Sequence, residues 1–153
     1  MAYIKVYIHF VWSTKNRQPF LNTLDLRKIM WEHIRNYAER KKIFVDFISG
    51  HADHCHCLVS LGVEQTIDEV ARLLKGESSH WINKNQLTDE NFSWQDEYFA
   101  VSVSEKLIPS ARSYIAKQEE HHKDKNFDFE YNTFIQKYGF HRFKDEKSEL
   151  SSI

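Results

Sequence analysis

Two histidines separated by one residue are the feature of this sequence most directly linked to chemistry. His54 and His56 lie within the stretch HADHCHCLVSL, residues 51–61. On a β-strand, side chains two positions apart point to the same face, so the two imidazoles can converge on one metal ion. The pair alone leaves two interpretations open: a metal site, or two surface or hydrogen-bonded histidines.

Two cysteines alternate with these histidines. Cys55 and Cys57 would point to the other face of the same strand, together with Val59 and Leu61, and buried cysteines behave as small apolar residues. A zinc site that used His and Cys together would need both faces of one strand, which the pleat forbids, although the cysteines could begin a separate site. Cysteines spaced this way on a strand are also poorly placed for a disulfide.

A tyrosine and a glutamine one helical turn apart form the second candidate site. Tyr114 and Gln118 lie in SARSYIAKQEEHHK, residues 110–123, and His121 follows just beyond them. An amphipathic helix with a half-buried tyrosine would show the same pattern. A phenol, with a pKa of about 10, is a poor nucleophile at neutral pH. A divalent cation changes this, because it polarises a phosphate and orients it for in-line attack.

These segments belong to a chain with the composition of one globular domain, residues 1–153. Apolar residues make up 41% and aromatic residues 14%, with only 4 Gly and 2 Pro, which excludes disordered, collagen-like and low-complexity classes. No apolar run approaches the ~20 residues that cross a bilayer. The N-terminus alternates in polarity and lacks a signal-peptide cleavage site. We therefore expect a cytoplasmic protein.

Hydrophobic periodicity predicts four strands and four helices. The period-2 segments that predict strands are residues 4–12, 43–49, 54–61 and 98–103. The helical segments are residues 26–42, 66–82 with a Thr66/Glu69 capping box, 109–123 and 127–138. The order β-α-β-β-α-β predicts an α+β fold, the ferredoxin-like split βαβ sandwich, in which a four-stranded antiparallel sheet carries helices on one face. Two C-terminal helices follow, and the first of them carries the tyrosine.

The charge distribution bears on nucleic-acid binding. The net charge of −1 argues against indiscriminate binding of duplex DNA. Residues 1–84 hold 12 basic and 9 acidic side chains, whereas residues 85–153 hold 9 and 13. A nucleic-acid surface should therefore draw on the first half, where Lys15, Arg17 and the basic run 40–42 are available. A solvated face of mixed charge would give the same counts.

Three ordered motifs resemble the small single-tyrosine HUH transposases of the simplest bacterial insertion sequences, relatives of the REP-associated tyrosine transposases. The motifs are DHCHCLV at 53–59, FSWQDEYFAVSVS at 92–104 and YIAKQEEHH at 114–122. The similarity also includes LKGESSHWIN at 74–83 and FEYNTFIQKYGF at 129–140, so it spans nearly the whole chain.

Two features depart from the family pattern. Cys55 stands where the middle position of the histidine motif usually carries a bulky apolar residue, a conservative change if this residue only packs in the core. The chain is also less basic than expected of a DNA transposase, which bears on DNA affinity and not on the chemistry.

The resemblance implies a transposase that cleaves and rejoins single-stranded DNA at insertion-sequence ends. Tyr114 would attack a phosphodiester and leave a 5′-phosphotyrosine link and a free 3′-hydroxyl, while His54, His56 and Gln118 would hold Mg²⁺ or Mn²⁺. The residues agree independently, because Gln118 offers a hard carbonyl oxygen one turn from Tyr114. The covalent link retains the bond energy for rejoining, so no ATP is required.

The resemblance also implies partners. These are single-stranded DNA hairpins at the element ends and a second copy of the chain, in a homodimer whose active sites combine the histidine pair of one subunit with the tyrosine helix of the other. Arg17 and Lys75 are candidate DNA contacts, and each could equally be plain surface charge. Two alternatives stay open: a domesticated REP-associated or replication-initiator-type HUH endonuclease, and a ferredoxin-like nucleic-acid or protein-binding module without catalysis.

Overall fold

The structure, a computed structural model, describes residues 1–121 together with Gly139 and Phe143. The predicted helix at 127–138 lies outside these residues. The strands and helices in chain order are β1 Tyr7–Ser13, α1 Leu24–Arg40, β2 Phe44–His51, β3 His54–Ser60, α2 Ile67–Lys84, β4 Phe99–Val103, α3 Ile108–Ala116 and α4 Gln118–His121.

The four strands form one antiparallel sheet in the order β2-β3-β1-β4. The two central strands are thus β1 and β3, and each helical crossover skips one strand, which confirms the predicted α+β, ferredoxin-like architecture. The sheet begins at Tyr7 and not at the expected Ile4. Tyr7 pairs with Ser60 on one side and with Val103 on the other, so both neighbouring strands end there. In the described part of the chain, no helix combines the length and the apolar content needed to cross a membrane.

The main core lies between one face of the sheet and helices α1 and α2. Alternate residues of the central strands are buried there against apolar residues of both helices; on the strands they are Ile8, Phe10, Trp12, Cys55, Cys57 and Val59. Each helix begins at a threonine cap: Thr23 Oγ1 accepts from Leu26 N, and Thr66 Oγ1 accepts from Glu69 N, both at 3.1 Å. The second cap confirms the predicted start of α2.

Helices α3 and α4 cover the opposite face of the sheet. A small apolar cluster of Leu58, Ile108 and Ile115 anchors α3 there. The sequence predicts one helix from Pro109 to about residue 123, but the structure interrupts it at Lys117. At this break the side-chain amide of Gln118 donates to Tyr114 O at 3.3 Å, the carbonyl that the backbone N–H of Gln118 would bond in a continuous α-helix.

Candidate active site

The two histidines project from β3 toward α3 and α4, as the alternation predicts. His54 is fully buried and His56 is 3% exposed, so neither is a surface residue. Cys55 and Cys57 point the other way into the core. Burial raises the pKa of the Cys57 thiol to about 12, which keeps it protonated and effectively apolar.

The tyrosine and the glutamine meet the histidines within the same chain. The ring of Tyr114 is half-buried and lies edge-on to His56, with 5.5 Å between the ring centroids. Gln118 is fully buried, and its Oε1 lies 3.0 Å from His54 Nε2. The structure therefore brings together all four residues that the sequence analysis selected for catalysis and metal binding.

Each ring nitrogen of His54 has a side-chain oxygen beside it. Asp53 Oδ1 lies 2.9 Å from His54 Nδ1, and Gln118 Oε1 lies 3.0 Å from Nε2. Both oxygens are acceptors, whereas a neutral imidazole has a single N–H to donate. In the opposite amide orientation the Gln118 NH2 group would face His54 Nε2, and its oxygen would face the Tyr114 carbonyl oxygen, also an acceptor. A metal ion bound by both atoms would satisfy the contact between His54 Nε2 and Gln118 Oε1.

A divalent metal fits this donor set. Two ligands that each lie at ~2.1 Å from Mg²⁺ and at right angles are about 3 Å apart, which is the separation of His54 Nε2 and Gln118 Oε1. Asp53 on the other nitrogen of His54 provides the carboxylate–histidine arrangement found in metal sites. No group of three His, Cys, Asp or Glu side chains within residues 1–121 could hold a metal. With His54 and His56, the amide oxygen of Gln118 would supply the third ligand.

His9 is a further site residue that sequence reasoning did not select. It is 4% exposed on β1, and its Nε2 lies 2.9 Å from His56 Nδ1. Burial lowers the pKa of His9 to about 4, so His9 is neutral at neutral pH. With Nδ1 of His56 engaged in this contact, Nε2 is the nitrogen through which His56 would bind a metal. The alternation of residues 4–12 already placed His9 off the apolar face, and adjacent pairing of the first and third strands would have brought it to the histidine pair.

Comparison with known proteins identifies the family. The family model described as "Transposase IS200 like" matches residues 2–118. This chain belongs to the IS200-like transposase family. The match ends at Gln118 and so contains His54, His56 and Tyr114 as well. Among curated proteins, no significant match is found.

Two solved structures share the fold of this IS200-like transposase. One is a protein from Deinococcus radiodurans R1 described as a candidate transposase, with 20% identity and a TM-score of 0.60, over 76% of this chain and 93% of that one. The other is a REP-associated tyrosine transposase bound to a REP hairpin, with 18% identity and a TM-score of 0.59, over 80% of this chain and 72% of that one. At these identities the likeness shows the fold alone.

The two candidate DNA contacts lie in different settings. Arg17 is half-buried in a short 3-10 turn after β1, whose first residue, Lys15, donates its backbone N–H to Ser93 O at 2.9 Å. Lys75 on α2 is buried, and its ammonium donates to Asp96 O at 2.8 Å and to Glu97 O at 3.3 Å. Burial lowers the pKa of Lys75 to about 8. Lys75 is therefore not plain surface charge, and DNA contact by either residue stays a prediction.

Proposed function

We propose that this IS200-like transposase cleaves and rejoins single-stranded DNA through a 5′-phosphotyrosine intermediate on Tyr114. The observation that carries the proposal is the packing of the Tyr114 ring against His56, beside the contact between His54 and Gln118. A nucleophile and a set of metal-ligand candidates thereby share one buried polar site.

The reaction exchanges one phosphoester bond for another. The phenolic oxygen of Tyr114 attacks the phosphorus in line, the bond to the 3′ oxygen of the upstream strand breaks, and that oxygen leaves as a 3′-hydroxyl after taking up a proton. The downstream strand stays joined to Tyr114 through its 5′ phosphate. Rejoining reverses these steps when a 3′-hydroxyl attacks the phosphotyrosine, so no external energy source is needed.

The site residues divide into ligands and supports. His54, His56 and Gln118 would hold a Mg²⁺ or Mn²⁺ ion. When bound, such an ion supplies positive charge next to the scissile phosphate. Asp53 orients His54 through Nδ1, and His9 orients His56 in the same way. The contact with His56 holds the Tyr114 ring at the edge of this group while the ring stays half-buried, so a DNA strand can reach it.

A covalent adduct tests the chemistry. A DNA hairpin with a single-stranded flank is labelled at its 3′ end, so that the label stays on the fragment that would be joined to the protein. We expect a labelled protein band that survives boiling in detergent, forms with Mg²⁺ or Mn²⁺, and is absent with a chelator. Intact DNA and no adduct would favour the module without catalysis. A domesticated or replication-initiator endonuclease would give the same adduct, so the genomic DNA beside the gene separates these alternatives, because flanking hairpins favour a mobile element.

Hairpin DNA is the proposed partner. The REP-associated transposase of similar fold is bound to a REP hairpin, which supports this choice. Arg17 is the stronger of the two candidate contacts, because its turn follows Thr14, whose backbone N–H bonds to Asp53 O at 2.8 Å beside His54. Loss of one phosphate contact should weaken DNA binding to a similar extent for all sequences. It should also lower the slope of log affinity against log salt concentration by about one.

We also propose a homodimer with shared active sites. In the described chain, Tyr114 packs on the histidines of its own sheet, and exchange of α3 and α4 between two copies would form the same contacts between subunits. Mixing Tyr114→Phe with His56→Ala protein tests the exchange. Shared sites would restore adduct formation, because one site of the mixed dimer has both intact residues. Sites within one chain would stay inactive in the mixture.

A further inference from the structure

Gln118 lies directly after the break between α3 and α4. Within the described residues α4 comprises Gln118–His121, and the break at Lys117 separates it from α3. The Gln118 side chain itself contacts His54 and Tyr114 O, the second at the long distance of 3.3 Å. A further contact holds the first turn of α4 and with it the backbone of Gln118.

That contact is an ion pair made by the next residue. Glu119 accepts two hydrogen bonds from Arg27, from Nε at 2.6 Å and from Nη2 at 2.9 Å. The third nitrogen, Nη1, donates to Leu21 O at 2.8 Å. Arg27 is buried and Glu119 is half-buried. Parallel charge-assisted bonds between a guanidinium and a carboxylate fix both distance and orientation, which a single bond cannot do.

The pair connects two sides of the sheet. Arg27 belongs to the first turn of α1, which packs in the main core, whereas α4 lies with α3 on the histidine face. Between them runs β2, the edge strand, and His51 at its end lies 3.8 Å from Glu119 Oε2. The guanidinium thus links the core layer to the first turn of α4, which carries Gln118.

We propose that the Arg27–Glu119 pair is a positioning device for Gln118. It holds α4 so that the Gln118 amide oxygen stays at ligand distance from His54. Arg27 and Glu119 touch neither the reacting phosphate nor the nucleophile, so they are positioning residues and not catalytic ones. The inference rests on the proposed function only in treating Gln118 as a metal ligand.

The chain contains a matched control for this pair. Arg112 makes the same paired contact with Asp46, from Nε and from Nη2, both at 2.7 Å. It lies on α3, two residues before Tyr114, but its side chain is 45% exposed and it anchors α3 rather than α4. An effect that belongs to Gln118 should therefore appear when the Glu119 pair is broken and not when the Arg112 pair is broken.

The test compares Glu119→Gln with Arg112→Gln in the full chain. Manganese affinity is measured by calorimetry, thermal unfolding records stability, and amide hydrogen exchange is followed over residues 118–121. We expect Glu119→Gln to bind Mn²⁺ about tenfold more weakly and its amide hydrogens at 118–121 to exchange faster. In Arg112→Gln, the Mn²⁺ affinity and the exchange rates should stay within about twofold of the wild type. Glu119→Asp only shortens the side chain, so it should change the Mn²⁺ affinity and the exchange rates in the same direction by a smaller amount. This variant replaces Glu119→Gln in the test if Glu119→Gln does not fold.

The outcomes separate this proposal from the proposed function. Wild-type affinity in a folded Glu119→Gln protein would overturn the positioning role and leave the metal site intact. Equal losses in Glu119→Gln and Arg112→Gln would also overturn it, because they would show a general effect of loosening the helices. If the wild type binds no Mn²⁺, the metal part of the proposed function fails. Faster exchange at 118–121 in Glu119→Gln alone would then still support the positioning role, and unchanged exchange would overturn it.

Discussion

Along the central strands, both faces of the sheet hold buried side chains, and the two faces are chemically opposite. On one face Phe10 and Cys57 pack against apolar helices, both with no exposed surface. On the other face His9, His54 and His56 are no more than 4% exposed, yet each makes a polar contact with another side chain. Burial alone therefore does not distinguish the structural face from the candidate site. The distinction lies in which buried groups are polar and whether each has a partner.

The polar face comes at a cost in folding free energy. Removing an imidazole from water costs free energy that its polar contacts have to offset, because a buried polar group without a contact costs about 1–3 kcal/mol on protein-based scales. The lowered pKa of His9 reflects the desolvation of its ring. Replacing both partners of a buried polar contact by apolar groups of the same shape can be nearly neutral for stability or stabilising. A face that retains three buried imidazoles beside a half-buried phenol is therefore better explained by chemistry than by stability.

The largest effect should come from removing the attacking atom on the polar face. Tyr114→Phe keeps the ring and its packing against His56, so we expect normal folding and a loss of covalent adduct of at least about 10³-fold. Denaturing gels with end-labelled hairpin DNA measure the adduct. Tyr37→Phe on α1 is the control and should leave the yield unchanged. Comparable adduct from Tyr114→Phe would refute the assignment, and cleavage without adduct in the wild type would indicate a water nucleophile.

The two faces should respond oppositely to changes one residue apart on β3. His56→Ala removes a proposed ligand, so we expect cleavage to fall by more than about 100-fold with a modest change in stability. Cys57→Ser buries a hydroxyl in the apolar core, so we expect the free energy of unfolding to fall by about 1–3 kcal/mol. The molecules that remain folded should cleave DNA at the normal rate. Urea unfolding and single-turnover cleavage measure the two effects. If His56→Ala cleaves normally, or if Cys57→Ser loses activity while still folded, the contrast between the faces is wrong.

A smaller effect is expected from the support of the ligand. His9→Phe preserves the size of the ring but removes the nitrogen that contacts His56 Nδ1. We expect Mn²⁺ affinity to fall about tenfold, because partners of metal-bound histidines orient them and set their tautomer. The control is His33→Phe, since His33 stacks on Trp81 between α1 and α2 and contacts Glu77. Equal affinities in wild type and His9→Phe, measured by calorimetry, would limit His9 to a packing role.

The local sequence pattern predicted which side chains share a face of the sheet, because successive side chains of a strand point to opposite faces. This placed Cys57 and His56 on opposite sides without any knowledge of the neighbouring strands. His9 was not selected because its contact with His56 depends on the register of β1 against β3, in which His9 lies opposite Leu58, and not only on the order of the strands. The ion pair of Arg27 and Glu119 joins positions 92 residues apart, which no periodicity encodes. The break at Lys117 was missed as well, since the helical spacing continues through it.

The smallest effect concerns Lys75, a buried cation on the core side of the sheet. Its folded pKa of about 8 lies below the ordinary value of 10.5 because burial disfavours the charge. Between these values the unfolded chain binds the proton more readily, so stability should rise as the pH increases through this window. Lys75→Met removes the titrating group. We therefore expect the free energy of unfolding of the wild type, relative to Lys75→Met, to rise by up to about 2 kcal/mol between pH 8 and 10, as measured with urea.

Parallel stability curves for the two proteins would show that the carbonyls of Asp96 and Glu97 compensate the burial of the ammonium fully. The same variant also tests Lys75 as a DNA contact. If the Lys75 ammonium only binds the carbonyls before β4, Lys75→Met should keep hairpin affinity and its salt dependence within about twofold of the wild type. If Lys75 contacts a phosphate, Lys75→Met should lower the slope of log affinity against log salt by about one. A lower slope in Lys75→Met would place a DNA surface at α2, on the apolar side of the sheet, and so show that the two faces do not divide folding from function as cleanly as their side chains suggest.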